Sequence, residues 1–224
     1  MEELRALVLR CAGAPAPFEA FQDALDHHCE RLPGGAVAEV KDLRLLTTKH
    51  KGDLWELFCR QYLVHQYGCS DVWLLKDVPE DLRTQVGLKK NDLGIDLVAR
   101  KGKRLLAIQC KWRQPQRFKV VPGTKVRTNV VPWKDLSTFL ALSDRLGFHE
   151  RVVMTNAVGV RRVGGRRTGD RSLCLGSFKA LTGTDLLTLV EAPGSSLLSS
   201  PSAPAPAPLD VQDLRAARLK ALGA

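Results

Sequence analysis

Residues 94–113 read GIDLVARKGKRLLAIQCKWR, two apolar runs joined by a basic turn. Lys101 and Arg104 flank a loop of two residues, and Gly102 occupies the first position of that loop. Glycine at this position is typical of a type II′ β-hairpin, because it tolerates the positive φ that the turn requires. The stretch therefore predicts two antiparallel strands in which Lys101 pairs with Arg104.

The predicted pairing brings polar side chains onto one face of the hairpin. It sets Asp96 opposite Gln109 and Gly94 opposite Lys111, and opposed residues share a face with Cβ atoms about 4.5 to 5.5 Å apart. Ala107 belongs to this face as well. Alternation turns the apolar residues of the second strand to the other face, namely Leu106, Ile108, Cys110 and Trp112. A carboxylate, an amide and an ammonium therefore converge, unless the register slips by one residue.

Phosphodiester hydrolysis is a reaction that needs such a set. A hard cation held by oxygen ligands neutralises the developing charge and activates water, and a lysine beside it orients the water and stabilises charge on the phosphate. We expect Asp96 to bind the cation, and Lys111 to orient the water and stabilise the charge on the phosphate. Because one carboxylate makes a poor magnesium site, a second acid is required. Glu56 is the candidate, at the border of the apolar stripe of a helix predicted over residues 53–66.

Three separated motifs, KGDLWELF, NDLGIDLVA and AIQCKW, resemble in that order the PD-(D/E)xK nuclease superfamily, most closely its Mrr-type restriction endonuclease-like group. The resemblance implies that Asp96 ligates a metal, with Glu56 as the second acid and the backbone carbonyl of Cys110 as a further ligand. It places Gln109 at the second motif position and makes Lys111 the catalytic lysine. It also implies a Mg²⁺-dependent DNA endonuclease, with Mn²⁺ able to substitute, that uses water as nucleophile and leaves a 5′-phosphate.

The second motif position is where this sequence departs from the commoner pattern, because Gln109 is neutral where an acid is usual. One alternative is therefore a DNA-binding module of the same fold that has lost cleavage. Another is a DNA-targeting subunit of a larger nucleic-acid-processing complex. Asp92 is a weaker candidate for a supporting acid, and Cys110 is interpreted as a buried thiol rather than a nucleophile.

Each candidate residue also has a purely structural interpretation. Asp53 and Glu56 fit a capping box at the start of a helix, and Glu56 with Arg60 fits an ion pair one turn apart. Asp96 fits a strand end, and Lys111 fits a solvated charge at a sheet edge. An acid and a lysine on one face of apolar strands are unusual, however, and together with the helix motif they favour the catalytic interpretation.

The charge distribution favours a nucleic-acid partner. The chain carries 34 Lys and Arg against 24 Asp and Glu, a formal net charge of +10, and residues 97–133 contain 10 basic and no acidic side chains. The positive electrostatic potential of such a segment favours binding to a phosphate polymer. The basic segment could alternatively be a solubilising surface or a patch that binds an acidic membrane. Prolines in the loop after the hairpin exclude the basic amphipathic helix that a membrane favours. The predicted DNA contacts are Lys101, Lys103, Arg104, Arg113, Arg117, Lys119, Lys125, Arg127, Arg161, Arg162, Arg166 and Arg167.

The order of elements indicates an α/β fold, a restriction endonuclease-like mixed sheet flanked by helices with a helical N-terminal extension. Further helices are predicted over residues 1–12, 17–31 and 133–146, and strands over residues 71–75 and 151–157. Four segments follow from composition and motifs: a helical N-terminal section 1–46, a nuclease core 47–191, a Pro/Ala/Ser linker 192–208 and a short amphipathic C-terminal helix 209–224. The resemblance covers roughly residues 47–157.

The remaining signals concern cysteines, histidines and location. Six cysteines show neither a CxxC pair nor zinc-ribbon spacing, so we expect reduced thiols in an intracellular protein. A metal could bind at His27, His28 and Cys29, but adjacent histidines point to different sides of a helix and no fourth ligand is evident, so we expect a helix surface there. Without a signal peptide or an apolar run of roughly 20 residues, we expect a soluble protein of the cytoplasm or nucleus, with no membrane. A homodimer and a protein partner held by the C-terminal tail stay open.

Overall fold

The computed structural model describes residues 1–30, 40–89, 94–114, 129–161 and 169–191. These residues form helices and strands in the following order: α1 Glu2–Cys11, α2 Pro17–Glu30, α3 Val40–His65, β1 Asp71–Leu74, α4 Glu80–Val86, β2 Leu97–Lys101, β3 Arg104–Lys111, β4 Val130–Val131, α5 Ser137–Arg145, β5 Glu150–Thr155, β6 Gly159–Val160, β7 Asp170–Leu173, α6 Leu175–Lys179 and α7 Gly183–Thr188. Within this part of the chain, no helix combines the length and the apolar character that crossing a bilayer requires.

The main sheet has five strands in the order β1-β2-β3-β5-β7. β1, β2 and β3 pair antiparallel, whereas β3, β5 and β7 run parallel. The parallel step from β3 to β5 requires a crossover, and α5 lies in that connection. β4 and β6 form a separate two-stranded parallel ribbon. The mixed sheet flanked by helices confirms the predicted restriction endonuclease-like fold class.

Two apolar cores cover the two faces of the sheet. On one face, helices α1, α2, α3 and α6 bury an aromatic cluster in which Trp55 stacks on Phe58 with ring centroids 5.2 Å apart. On the other face, Phe139 of α5 and apolar residues of α4 pack against Ala107 and Val153. Because both faces are covered, most interior positions of β2, β3 and β5 carry apolar side chains.

The hairpin has the predicted register. Lys101 pairs with Arg104 and Leu97 with Ile108, and the backbone of Gly102 has a φ of +59°, as a two-residue loop of this kind requires. The faces also follow the predicted alternation. Ala107 belongs to the core covered by α4 and α5, and the opposite core contains Leu106, Ile108 and Cys110, with Trp112 packed against it.

Helix α3 begins earlier than the sequence predicts. It runs from Val40 to His65 rather than over residues 53–66, so the predicted segment boundary between residues 46 and 47 falls inside it. Met1–Glu191 forms one compact unit, and the N-terminal helices share a core with the sheet. The boundary at 46 thus marks where the sequence resemblance begins. The predicted linker 192–208 and C-terminal helix 209–224 lie outside the described residues.

The other predicted elements match the structure to within a few residues. α1 and α2 correspond to the helices predicted over residues 1–12 and 17–31, and β1 and β5 to the predicted strands. The helix predicted over residues 133–146 is divided into a 3-10 turn, Trp133–Asp135, followed by α5.

Candidate active site

Asp96 lies immediately before β2, held by its backbone between two neighbouring strands. Its N–H donates to the carbonyl of Ile108 at 2.9 Å, and its carbonyl accepts from the N–H of Leu75 at 3.0 Å. Its carboxylate is fixed too, because Oδ2 accepts hydrogen bonds from Gln109 Nε2 and from the backbone N–H of Cys110, each at 2.6 Å. Hydrogen bonds to an ionised carboxylate are strong, so the orientation of Asp96 is set by β3.

Gln109 is the residue that orients Asp96, and it is buried, with 3 % of its surface exposed. The predicted convergence of these two side chains is confirmed by the hydrogen bond between them. Gly94 makes room for the amide: its φ is +124°, and a Cβ there would lie 3.3 Å from both Gln109 Oε1 and the backbone nitrogen of Phe139. A larger residue would be strained and would press on the amide, which gives the Gly-Ile-Asp sequence a physical reason.

Glu56 on α3 shares an electrostatic environment with the hairpin residues. Burial, together with the negative charges of Asp96 and Asp53, raises the pKa of Glu56 to about 7, while Lys111 and Lys76 act in the opposite direction. A raised pKa in a cleft, with a specific charge partner, is typical of functional sites. The structure therefore brings Glu56 within electrostatic range of both Asp96 and Lys111, as the sequence predicts.

The capping-box interpretation of Glu56 is wrong. α3 begins at Val40, so Asp53 and Glu56 lie in the interior of the helix, where no free N-terminal N–H groups need a cap. Arg60, the alternative ion-pair partner, instead directs its Nε to the carbonyl of Val72 at 3.1 Å.

Lys111 is the last residue of β3 and pairs in register with the buried Thr155 of β5. By alternation its side chain shares the face of Gln109. Lys111 is half-buried, and its charge lowers the pKa of Glu56, which places the ammonium at the carboxylate end of the hairpin. An acid, an amide and a lysine thus meet at one end of β3.

Cys110 is a buried core thiol, as predicted. It packs in the core beneath α3, where burial and a hydrogen bond with Cys59 raise its pKa well above the usual thiol range. A thiol held protonated in this way is a poor nucleophile. Its contribution to the site is the backbone N–H that binds Asp96.

A cleft of about 580 Å³ opens between α3 and the ends of β1 and β2. Three carboxylates line it, those of Asp53, Glu56 and Asp96, together with the lysines Lys49 and Lys76. The sequence interpretation missed both lysines and assigned Asp53 to a cap. The available signal was the spacing of positions 49, 53 and 56, which places all three on one helix face once α3 is known to extend that far.

The donor set of the cleft fits a hard divalent cation. Asp96 and Glu56 offer carboxylate oxygens, the preferred ligands of Mg²⁺ and Mn²⁺. The repulsion that raises the pKa of Glu56 would be relieved by a cation placed between the carboxylates. The backbone carbonyl of Cys110 stays a predicted further ligand.

The predicted DNA contacts divide into distinct groups. Lys101, Lys103 and Arg104 lie at the hairpin turn, roughly 23 Å from Lys111 at about 3.3 Å per residue of β3. Lys101 Nζ donates to the carbonyl of Tyr67 at 2.6 Å, and Arg104 pairs with Glu150. These residues therefore do not converge on the cleft.

Two further cations lie closer to the cleft end of the sheet. Arg113 is fastened by two 2.6 Å hydrogen bonds between its backbone and the buried side chain of Asn156, and its guanidinium pairs with Asp135. The exposed Arg161 donates its backbone N–H to Val131 at 2.9 Å. The other predicted contacts lie outside the described residues: Arg117, Lys119, Lys125, Arg127, Arg162, Arg166 and Arg167, as does Asp92.

The family comparison identifies a nuclease domain in this chain. A family model described as a restriction endonuclease, of the Mrr catalytic type, covers residues 61–160. That segment includes Asp96, Gln109 and Lys111, whereas Glu56 precedes it. No curated protein and no solved structure matches the chain.

Proposed function

Residues 61–160 form a restriction endonuclease domain of the Mrr type, and from this premise we propose that the protein is a DNA endonuclease dependent on a divalent cation, Mg²⁺ or Mn²⁺. It hydrolyses a phosphodiester bond with water, breaking the bond between phosphorus and the 3′ oxygen to leave a 5′-phosphate and a 3′-hydroxyl. The observation that carries the proposal is the fixed Asp96 carboxylate beside the raised-pKa Glu56, at the end of the strand that bears Lys111.

Asp96 and Glu56 hold the cation, which supplies charge neutralisation and a lowered water pKa. The two carboxylates come from different elements, a strand end and a helix, so their separation is set by the packing of α3 on the sheet. Gln109 keeps Asp96 in one orientation by donating to Oδ2. Preorganisation of this kind lowers the reorganisation needed when substrate binds.

Lys111 orients the attacking water and stabilises negative charge that develops on the phosphate. The position suits both roles, because the ammonium lies on the Gln109 face at the open end of β3. Its backbone pairs with Thr155 of β5 at the end of the central strand of the sheet, which limits its movement.

Lys49 and Lys76 contact the DNA backbone near the scissile phosphate. Both line the same cleft as Asp96 and Glu56, and lysine is a common binder of phosphate oxygens. Arg113 adds a contact to the DNA backbone. The sequence alone supports further contacts by Arg117, Lys119, Lys125 and Arg127, because residues 97–133 contain 10 basic and no acidic side chains.

Cleavage of supercoiled plasmid tests this function. The full chain is incubated with plasmid in Mg²⁺, in Mn²⁺ and in EDTA, beside Asp96→Asn and a control, Asp81→Asn, which changes an exposed acid on α4. We expect nicked or linear products only with metal, in the unmodified protein and in the control. Plasmid that is retarded but intact in every lane would instead identify a binding module that does not cleave.

The ends of the products test the chemistry. Cleaved DNA with a 5′-phosphate and a 3′-hydroxyl is a direct substrate for ligase, whereas the opposite arrangement is not. Efficient religation without prior phosphatase or kinase treatment is the expected result, and failure to religate would contradict attack with loss of the 3′ oxygen.

A further inference from the structure

Three side chains from three different helices converge on one point, and none of them lines the cleft. Glu3 of α1, His28 of α2 and His50 of α3 place their ligand atoms within 4.8 Å of one another. Glu3 Oε1 contacts His28 Nε2 and lies 2.7 Å from His50 Nε2. No sequence motif indicates this cluster, because its residues are widely separated along the chain, and the metal site considered around His28 used His27 and Cys29 instead.

We propose that Glu3, His28 and His50 form a binding site for one divalent transition-metal ion, with Zn²⁺ the best fit. Two imidazole nitrogens and one carboxylate oxygen are a borderline donor set that suits Zn²⁺ and is poorly matched to Mg²⁺. Three protein ligands leave the fourth position of a tetrahedral ion to water. This proposal is independent of the proposed nuclease function, which uses a different set of carboxylates.

An ion can be accommodated once the three ligand atoms adjust their spacing, because all lie within 4.8 Å of one another. Ligand bonds of 2.0 to 2.2 Å in a tetrahedral ion separate the ligand atoms by about 3.3 Å. The contact of 2.7 Å between Glu3 and His50 would have to lengthen by roughly 0.6 Å. Side chains with 29 to 37 % of their surface exposed can move that far, and the same exposure gives an ion a path of entry.

Two imidazoles meet at one carboxylate oxygen. Both histidines contact Glu3 Oε1, and their ring centroids are 6.2 Å apart. A divalent cation can replace these hydrogen bonds, because a neutral imidazole supplies a lone pair from the same nitrogen. Partial burial raises the pKa of Glu3, but hydrogen bonds from the histidines outweigh it and the pKa lies below its ordinary value, which keeps the carboxylate ionised.

The surrounding packing holds the ligands in place before any ion binds. Lys51 and Asp26 form a largely buried ion pair of 2.6 Å that fastens α3 to α2 next to the cluster. Leu4, Leu7 and Leu25 are fully buried and pack α1 and α2 into the core. An ion at the cluster would therefore tie three helices together, and one of them, α3, also carries Glu56.

Zinc binding by the full chain, measured by competition with a chromophoric chelator under reducing conditions, tests the proposal. We expect one tightly bound Zn²⁺ per chain that a large excess of Mg²⁺ does not displace. His28→Gln and His50→Gln should each weaken binding by more than about 100-fold, since a ligand is lost. His27→Gln, which alters the exposed neighbour on α2, and Asp96→Asn, which alters the nuclease cleft, should change the affinity by less than about threefold, because neither residue is a ligand. Equal affinity in all five proteins, or no binding to the unmodified chain, would overturn the proposal.

A spectroscopic measurement on the unmodified protein covers the case in which a histidine variant does not fold. Co²⁺ bound by imidazole and carboxylate gives visible ligand-field bands without the near-ultraviolet charge-transfer band of thiolate ligation. The expected spectrum has the first feature and lacks the second. A thiolate band would assign the ion to cysteines instead, and the cluster would not be the site.

Discussion

Replacement of Glu56 by glutamine separates a functional role of this carboxyl from a structural one. Burial and the charges of Asp96 and Asp53 raise the pKa of Glu56 from 4.5 to about 7. The side chain is held in a place that disfavours its ionised form. At about 1.4 kcal/mol for each factor of ten in the ionisation constant, the difference corresponds to ~3 kcal/mol. Because the side chain is partly exposed, solvent screening reduces the expected value to about 1 to 2 kcal/mol.

The sign of the effect follows from proton binding. The folded pKa of Glu56 lies above the unfolded value, so the folded chain holds a proton that the unfolded chain has already released between pH 4.5 and about 7. The contribution of this group to stability is complete below pH 4.5 and is lost as the pH rises through about 7. Glutamine has no such proton to lose. We therefore expect the free energy of unfolding of Glu56→Gln to lie within about 0.5 kcal/mol of that of the unmodified protein at pH 5 and to exceed it by about 1 to 2 kcal/mol at pH 8.

Urea denaturation in EDTA at pH 5 and pH 8 measures this difference, with Glu80→Gln as a control at an exposed position on α4. The control should show the same difference from the unmodified protein at both pH values. Plasmid cleavage by Glu56→Gln should be lost at both. A gain in stability coupled to a loss of activity is the signature of a residue kept for function. A variant that is less stable at pH 8 would refute the reasoning, because Glu56 would then be a favourable ion-pair partner for Lys76 or Lys111.

Three further results are expected. Lys111→Met should slow cleavage by about 10² to 10³-fold. Nuclear magnetic resonance titration of the same variant should find the pKa of Glu56 raised further, because Lys111 lowers this pKa in the unmodified protein. Gln109→Glu should lower the free energy of unfolding at pH 8 in EDTA by about 1 to 3 kcal/mol, since a second carboxylate replaces the donor to Asp96, and saturating Mg²⁺ should restore part of the loss. Mg²⁺ binding at pH 6.5 should release about three quarters of a proton in the unmodified protein and none in Glu56→Gln, as titration calorimetry in buffers of different ionisation enthalpy would reveal.

The hairpin could be predicted because its determinants are local. Gly102 sets the loop length, and the loop length sets the register, so Asp96 and Gln109 were placed opposite each other without knowledge of any other element. The alternation of apolar residues then fixed the faces, and the hydrogen bond between the two side chains agrees with both steps.

The start of α3 could not be predicted in the same way. Gly52 followed by Asp53 is typical of the start of a helix, with Asp53 as the N-cap residue. A glycine in a helix interior also costs about 1 kcal/mol relative to alanine. Packing overrides this local signal, because Lys51 pairs with Asp26 of α2 and the following turns bury Trp55 in the core. The error concealed the relation between Lys49, Asp53 and Glu56, and with it the composition of the cleft.

The pairing of strands that are distant along the chain could not be predicted from the sequence either. β7 joins the sheet through parallel pairing with β5, and the ribbon of β4 and β6 unites segments on either side of α5. Parallel strands are joined by long crossover connections, so no tight-turn motif in the sequence indicates which strands pair. The cluster of Glu3, His28 and His50 depends in the same way on the packing of three helices rather than on any motif.

The neutral Gln109 is better explained by the electrostatics of the cleft than by loss of catalysis. Asp96 and Asp53 already raise the pKa of Glu56, and a further acid at the second motif position would add to that repulsion. An amide retains what the position must do structurally, because it donates to Asp96 Oδ2 and, unlike a carboxylate, needs no proton for this. The consequence is a site with fewer negative oxygens, which should bind its cation more weakly than a site with a third acid but should keep Asp96 oriented when the cation leaves. In the proposed nuclease, an amide rather than an acid at position 109 would therefore lower the affinity for the metal and still keep the orientation of Asp96.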